Sequence, residues 1–321
     1  MGDKELTMMR KRVWKSEVAR RFCETTGTSD PAEAATLLAE KLTLECGTNT
    51  PGYELARIAS FQSAKIEECE MKDAGRLIPL PPGEFEFLIQ INNKDSRKRQ
   101  NFSIAHEIGH TLVPDYRNYP TEKYDAKVMQ WHAEQEEEFL CDVMASEILM
   151  PRREFKPRLA GIGVSTHAIT NLGDFFDASL EATAVNLVRT GLQDIAVIVW
   201  TPGYNKNDAK AVQTGSLFDD DDPMFAPPKK KFRVKFALGH GAMSNFFFPR
   251  QKSIDNDSLI AQSAQELLQG REPRTYGIMA LTHGHGEQEF FVDSFAYSVH
   301  NGNEKEIKII SLVSLQDCSD V

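Results

Sequence analysis

The sequence predicts an α+β protein of two parts, a mostly helical first part with a small sheet and an α/β second part. Apolar residues at helical spacing, such as Trp14, Val18 and Phe22, are typical of the first 190 residues. Five short apolar or alternating segments, typical of strands, follow them. We therefore predict domains at 1–190 and 191–321, with a boundary near Gly191, and a chain of 321 residues is long enough for both.

Composition and charge exclude several classes of protein. The chain has 37 Lys and Arg against 47 Asp and Glu, and a net charge of -10 argues against a main role in neutralising phosphates. The longest apolar run, residues 195–200, is far shorter than the about 20 residues that cross a bilayer. The charged start lacks the apolar segment of a secretory signal. Five scattered cysteines without a C-x-x-C pair argue against a disulfide framework, so we expect a cytoplasmic protein.

The first part is predicted to contain helices followed by a short sheet. Ser29-Asp30-Pro31 predicts a helix start, because a capping residue precedes a proline in the first turn. Residues 53–71 are interpreted as a further helix or helix pair. Strands are predicted at 76–80 and, beyond the turn Pro81-Pro82-Gly83, at 85–92.

Helices are predicted to follow these strands. Residues 101–113 have a helical pattern, and a long helix is expected from about 126 to 149, ended by Pro151. Weaker helical patterns cover 165–176 and 179–190. In the second part we predict strands at 195–200, 232–238, 277–281, 290–297 and 306–313, with one helix at 257–268.

The strongest chemical signal is His106-Glu107-Ile108-Gly109-His110, an H-E-x-x-H motif. On a helix the two histidines lie on one face, about 6 Å apart along the axis, where they can hold one zinc ion. Glu107 is rotated off that face, where its carboxylate can reach a metal-bound water without being a ligand. Gly109 removes a side chain where another element can pack closely. The alternative, two histidines buried without metal, costs free energy unless each ring nitrogen is paired.

The acidic segment 134–142 supplies candidates for a third ligand. A catalytic zinc ion usually takes three protein ligands and leaves a fourth position for water. Glu138 and Asp142 are four residues apart on the predicted helix, so Glu138 can bind the metal while Asp142 accepts a hydrogen bond from the far nitrogen of a ligand histidine. Glu137 is a rival for the ligand role.

Residues 101–112 (NFSIAHEIGHTL) and 138–151 (EFLCDVMASEILMP) resemble two motifs of the ImmA/IrrE family of metallopeptidases. The family patterns are an A-H-E-x-G-H helix and the segment E-x-x-A-(N/D)-x-F-A-x-x-x-L-M-P. The resemblance, which covers about residues 30–190, implies His106, His110 and Glu138 as ligands of Zn²⁺ or another divalent metal. It also implies Glu107 as the general base and places Asp142 on the family's Asn/Asp position. Two residues of the second motif depart from the pattern in ways that a packed face tolerates, namely Cys141 for alanine and Met144 for phenylalanine.

Membership of this family implies a zincin-like peptidase domain and a regulatory role. The expected partner is a protein substrate, a transcriptional repressor of the helix-turn-helix type, which the protease cuts. Some relatives carry a GAF-like sensor region after the protease, and the strand-rich second part is compatible with one.

Two regulatory functions without proteolysis are the alternatives. Residues 165–176 and 179–190 have the length of a helix-turn-helix pair. Their basic residues are opposed by acids such as Asp174 and Asp177, so we expect no direct nucleic-acid binding. In the other alternative the second domain senses a ligand and gates the first. His283 and His285, expected at a hairpin tip, form an incomplete metal set.

Peptide hydrolysis would also need a substrate surface and a donor for the developing oxyanion charge. Strand 85–92 is expected to pair with an extended substrate segment. The spacing does not identify the donor, and the candidates are Tyr116, Tyr119, Tyr124, His132 and His167.

Overall fold

The chain forms two compact units in the computed structural model. The helical unit comprises Lys11–Ile162 and Thr170–Asn186, and the strand-rich unit includes Gly163–Ile169 and Leu187–Val321. The predicted boundary near Gly191 stays a prediction. The residues that the structure describes are 14–47, 51–114, 124–125, 130–131, 135–205, 208–210, 230–301 and 304–316.

The helical unit begins with three helices, α1 (Glu17–Thr26), α2 (Pro31–Glu45) and α3 (Pro51–Phe61). The start predicted for α2 is confirmed, because the Asp30 side chain accepts a hydrogen bond from the Ala32 N–H at 3.1 Å and Pro31 occupies the first turn.

A three-stranded sheet follows, with strands β1 (Ala64–Cys69), β2 (Gly75–Pro79) and β3 (Phe87–Asn92) in the order β1-β3-β2. The strands predicted at 76–80 and 85–92 are confirmed. The helix predicted over 53–71 is correct only as far as Phe61. Residues 64–69 favour a helix by composition, but they pair in parallel with the whole of β3, and this tertiary pairing outweighs local propensity.

The central position of β3 excludes one expectation. It pairs with β1 on one side and with β2, antiparallel, on the other. The prediction that strand 85–92 adds a substrate segment is therefore wrong, since both of its edges are occupied. The edge strand that contacts the helix after this sheet is β2.

Two helices carry the candidate site, α4 (Arg97–Thr111) and α5 (Gln135–Leu149). The close packing predicted at Gly109 is confirmed, because a Cβ there would lie 3.3 Å from the Cys141 carbonyl oxygen of α5. The helix predicted from about 126 starts later, since the two-residue strands β4 (Tyr124–Asp125) and β5 (Gln130–Trp131) pair before it. Residues 126–129 lie outside the described part of the chain.

Three more helices follow: α6 (Arg152–Ile162), α7 (Thr166–Phe175) and α8 (Leu180–Arg189). The last two are the helices predicted at 165–176 and 179–190. The first was not predicted, and it contains a proline, Pro157, in its interior. Its start is fixed by Glu147 of α5, whose Oε1 accepts a hydrogen bond from the Arg152 N–H at 2.9 Å.

The strand-rich unit contains five strands, β6 (Ile195–Gly203), β7 (Lys231–Gly239), β8 (Arg274–His283), β9 (Gly286–Asn301) and β10 (Glu304–Ser314). They form an antiparallel sheet in the order β7-β6-β10-β9-β8. One helix, α9 (Leu259–Leu268), packs on this sheet, and the shared core includes Ile198, Trp200, Ile260 and Val292. The five strands and the helix predicted for this part are confirmed.

The protein is thus a mixed helix-and-sheet protein, and the GAF-like character of its second part stays a prediction. None of the helices in the described ranges has the length and apolar character needed to cross a membrane. The four cysteines in these ranges are free thiols, of which Cys46 and Cys141 are buried.

Candidate metal centre

The two histidines of the H-E-x-x-H motif share one face of α4. Their ring centroids are 5.0 Å apart and the rings are inclined by 72°. Ile104, Ala105 and Ile108 of the same helix are buried, so the helix is held firmly in the core of the helical unit. The His110 side chain is almost fully buried and that of His106 is 16% exposed, which leaves the pair reachable from one side.

Glu138 of α5 faces both imidazoles. Its Oε2 lies 3.2 Å from His106 Nε2, and its Oε1 lies 3.7 Å from His110 Nε2. One ligand atom from each of the three residues lies within 4.8 Å of the others, and no second group of this kind occurs among the described residues. Ligands at 2.0–2.1 Å from a tetrahedral zinc ion lie about 3.4 Å from each other. The two distances from Glu138, 3.2 and 3.7 Å, bracket this value, so the group suits a divalent metal ion such as zinc.

The outer nitrogen of each histidine is held by a second acidic residue of α5. His106 Nδ1 lies 2.9 Å from Asp142 Oδ1, and His110 Nδ1 lies 3.4 Å from Glu137 Oε1. When Nδ1 of each ring carries the proton, which in His106 is donated as a hydrogen bond to Asp142, each Nε2 keeps a free lone pair for the metal. Cys141 Sγ also lies 3.4 Å from His110 Nδ1.

All the predicted site residues meet here, although their roles stay predictions. Glu138 lies beside the Nε2 atoms of the two rings, which would bind the metal. The other candidate ligand, Glu137, lies beside Nδ1 of His110. Sequence reasoning did not assign the contact between Glu137 and His110. The contact depends on how α4 crosses α5, and spacing within either segment carries no signal for that crossing.

The general-base candidate Glu107 is buried, with 8% of its surface exposed. It faces β2: a Cβ added to Gly75 would lie 3.2 Å from Glu107 Oε1 and 3.3 Å from Ser103 Cβ. The absence of a side chain at Gly75 therefore makes room for this carboxylate. Sequence reasoning missed Gly75, because a single glycine before a strand has no distinctive pattern.

Burial and hydrogen bonding shift the pKa values of the site. Burial lowers the pKa of His106, but its hydrogen bonds to Asp142 and Glu138 outweigh this and raise the pKa to about 10. The same bond to His106 lowers the pKa of Glu138. Burial raises the pKa of Glu107, against the opposing effect of both histidines. Glu107 is therefore a stronger proton acceptor than an exposed glutamate.

Several other candidates are not placed at this centre. Tyr116, Tyr119 and His132 lie outside the described residues, and for Tyr124 only the backbone is described. His167 lies on α7. His283 ends β8 and His285 lies in the β8–β9 turn, with ring centroids 6.0 Å apart, and within the described ranges no third ligand joins them.

Comparison with known proteins agrees with this geometry. Residues 74–188 match the family Peptidase_M78, the IrrE N-terminal-like domain. The radiation response metalloprotease IrrE of Deinococcus radiodurans is 29% identical over 116 residues, which is 36% of this chain and 35% of that protein. This chain therefore spans about a third of the length of the curated relative. A Mycobacterium tuberculosis transcriptional regulator has a similar fold, with a TM-score of 0.52, 13% identity, and coverage of 93% of this chain and 80% of that chain.

The fold and the site together define a metallopeptidase-like protein. The matched segment contains α4, α5 and all five predicted site residues. Residues 74–188 match the model of an IrrE N-terminal-like domain, and the predicted resemblance to the ImmA/IrrE family is confirmed over that segment.

Proposed function

We propose that this protein is a zinc-dependent regulatory endopeptidase. The observation that carries the proposal is the group of His106, His110 and Glu138, whose ligand atoms lie within 4.8 Å of one another beside the buried Glu107. The match to a peptidase family over 74–188 supports it. We place the activity in a cytoplasmic protein with a peptidase domain at 1–190 and a regulatory domain at 191–321.

The three ligands would hold the ion, and Glu107 would move the proton. A bound zinc ion would supply a Lewis acid, which polarises a carbonyl oxygen and lowers the pKa of water. Glu107 then accepts a proton from the attacking water and passes it to the nitrogen of the leaving amine. Asp142 would keep the His106 ring oriented by accepting a hydrogen bond from its Nδ1, and the carboxylate of Glu137 lies 3.4 Å from Nδ1 of His110.

An extended substrate segment would bind along β2. This strand lies at the edge of its sheet in the described part of the chain, and its first residue, Gly75, lies against Glu107. Strand addition at such an edge uses main-chain hydrogen bonds and therefore requires an extended peptide. The geometry favours cleavage within a loop or a linker of the substrate over cleavage within a helix.

The proposed substrate is a transcriptional repressor of the helix-turn-helix type. This proposal rests on the family resemblance. The name of the relative from Deinococcus radiodurans refers to a radiation response, and that of the structural neighbour refers to transcription. A repressor encoded next to this gene is the first candidate to incubate with the protein.

Glu107→Gln tests the mechanism. The variant should bind one zinc ion per chain, as the wild type does, yet leave the repressor intact in a mass-spectrometric assay of fragments. Glu67→Gln, a change of the same kind at an exposed position of β1, should cleave like the wild type. Cleavage by Glu107→Gln would refute the role of Glu107, and absence of stoichiometric zinc in the wild type would refute the metal centre.

The charges around α7 support proteolysis over direct DNA binding. Asp174 pairs with Lys98 at 2.9 Å, and Asp177 pairs with Arg97 at 2.9 Å, so these acids neutralise the nearest basic side chains. A recognition helix instead presents unpaired Arg and Lys to phosphates and bases. Salt-dependent binding of duplex DNA by the purified protein would favour the alternative.

A further inference from the structure

The start of α1 is bonded to a side chain of α5. Helix α1 begins after Ser16, whose hydroxyl accepts a hydrogen bond from the Ala19 N–H at 3.1 Å. The carboxylate of Glu136, 120 residues beyond Ser16, accepts hydrogen bonds from two backbone N–H groups at this helix start. The Lys15 N–H lies 3.0 Å from Oε1 and 3.1 Å from Oε2, and the Ser16 N–H lies 2.8 Å from Oε2. Charge-assisted hydrogen bonds therefore join the start of α1 to the start of α5.

These bonds replace one that α1 cannot make within its own sequence. In a capping box, a glutamate or glutamine three positions after the N-cap residue accepts a hydrogen bond from the backbone N–H of that residue. The N-cap of α1 is Ser16, and the third position after it is Ala19, whose side chain has no acceptor. Glu136 of α5 takes this role instead. What is usually a local contact is therefore a contact between two helices.

An aromatic pair lies next to these hydrogen bonds. The rings of Trp14 and Phe139 have centroids 5.8 Å apart and are inclined by 54°, within the range typical of stabilising aromatic pairs. Phe139 follows Glu136 by three residues, so both side chains lie on the same side of α5. Residues 14–16 therefore contact one side of the start of α5 through both polar and apolar groups.

The first turn of α5 carries the candidate metal ligand Glu138 but contributes little to the apolar core. The buried apolar side chains of α5 begin at Leu140, and the four residues of its first turn, 135–138, are all polar. The first four N–H groups of a helix have no partner within the helix, so this turn opens more easily than the interior. The Glu138 side chain is also 49% exposed. Its position therefore depends on contacts that hold the turn from outside.

Glu136 and Glu138 face different neighbours. Two residues that are two positions apart on a helix are separated by about 200° around its axis. Glu138 accordingly faces His106 and His110 of α4, whereas Glu136 faces the start of α1. A contact at Glu136 can thus restrict the motion of the turn without taking up a ligand position at the metal.

We propose that Glu136 is a positioning residue for the metal ligand Glu138, an inference that rests on the proposed metal centre. Its carboxylate ties the first turn of α5 to residues 14–16 and so keeps Glu138 beside the two imidazoles. When a binding site is in its competent arrangement for only a fraction of the time, the apparent affinity falls by that fraction. The family match begins at residue 74, so the start of α1 contributes to the metal centre from outside the matched segment.

The first test is the zinc affinity of the full chain, measured by competition with a chelator. Glu136→Ala removes the acceptor and should weaken zinc binding about 10-fold, at the lower end of the effect of removing an outer partner of a metal ligand. Glu136→Gln loses the same charge but keeps one acceptor oxygen. In the wild type Oε2 alone accepts from both N–H groups, so one oxygen suffices. Glu136→Gln should therefore bind zinc much more tightly than Glu136→Ala.

The pair of variants separates hydrogen bonding from charge, because both lose one negative charge near the ion. Equal affinities of the two variants, or wild-type affinity of Glu136→Ala, would overturn the positioning role. The control is Ser16→Ala, which removes the N-cap bond of α1 but leaves the backbone N–H groups that Glu136 accepts from. It should lower the urea midpoint yet bind zinc like the wild type. Weakening as large as that of Glu136→Ala would assign the effect to a general loss of stability and overturn the proposal.

The second test needs no metal and follows hydrogen exchange of the metal-free full chain by mass spectrometry. The first N–H groups bonded within α5 donate to the carbonyl groups of its first turn, so their exchange reports opening of that turn. Glu136→Ala should speed exchange in the peptide 135–141 relative to the wild type and Glu136→Gln. The peptide 143–149, from the buried end of α5, should exchange at the wild-type rate. Unchanged exchange at 135–141 would overturn the proposal. A wild type that bound no zinc would instead refute the proposed metal centre, and this experiment would still show whether Glu136 holds the turn.

Discussion

Replacing Glu147 by glutamine removes a buried carboxyl group whose ionisation opposes folding at neutral pH. Glu147 lies on α5 with 6% of its surface exposed. Burial raises its pKa from 4.5 to about 7, although the N–H and guanidinium of Arg152 favour the charged form. Glutamine has nearly the same shape and can accept the same hydrogen bond from the Arg152 N–H, but it cannot ionise.

The size of the effect follows from the two pKa values. Between pH 4.5 and pH 7 the folded protein keeps a proton that the unfolded chain has lost, so the free energy of unfolding falls as the pH rises. At about 1.4 kcal/mol for each pH unit, the full loss above pH 7 is about 3 kcal/mol. Part of it, about 1 kcal/mol, has already occurred at pH 5, which leaves about 2 kcal/mol between pH 5 and pH 8.

The assay is a series of urea titrations of the wild type and Glu147→Gln from pH 5 to pH 8, followed by the helical circular dichroism signal. Comparison at each pH cancels the other titrating groups. The free energy of unfolding of the variant, relative to that of the wild type, should increase by about 2 kcal/mol as the pH rises across this range. Glu67→Gln, the same change at an exposed position of β1, serves as the control.

Parallel pH profiles for the wild type and Glu147→Gln would refute this reasoning. They would mean that the carboxyl group of Glu147 has the same proton affinity in the folded and the unfolded chain. A gain that appears as the pH falls would also contradict it, because the raised pKa fixes the sign.

Three further predictions concern the metal centre. Asp142→Ala should weaken zinc binding about 10- to 100-fold in a chelator competition, because His106 loses the partner of its Nδ1; unchanged affinity would contradict the role of Asp142. Gly109→Ala should lower the free energy of unfolding by about 1–3 kcal/mol, because the new Cβ lies 3.3 Å from the Cys141 carbonyl oxygen. An unchanged free energy of unfolding in urea titrations would show that α4 and α5 separate easily. In the metal-free protein His106 keeps its second proton up to about pH 10, so zinc binding at pH 7 should release protons, and the heat of binding should vary with the ionisation enthalpy of the buffer.

The parts of the site that lie within one helix could be predicted from the sequence. His106 and His110 are four residues apart, and helical geometry alone places them on one face. The family pattern then selected Glu138 over Glu137. The placement of Glu137 behind His110 could not be predicted, because it depends on the packing of α5 against α4 at Gly109.

The errors of sequence reasoning lie where tertiary pairing decides the structure. Residues 64–69 contain lysine and glutamate, which favour helices, yet they form a strand because β3 pairs with them along their length. The role expected for β3 was wrong for a related reason. Alternation identified it as a strand, but periodicity carries no information about which strands lie beside it, and those neighbours occupy both of its edges.

In the proposed mechanism, Gly75 at the start of β2 would connect substrate binding with proton transfer by Glu107. Because Gly75 presents only hydrogen to Glu107, the surface next to this carboxylate is main chain, and main chain fluctuates less when a new partner hydrogen-bonds to it. A bound peptide that extends the sheet would thus restrict the motion of Glu107 while Glu107 accepts the proton. Without a bound peptide the main chain at Gly75 would fluctuate more. Glu107 would then be well positioned for proton transfer only when a substrate is bound.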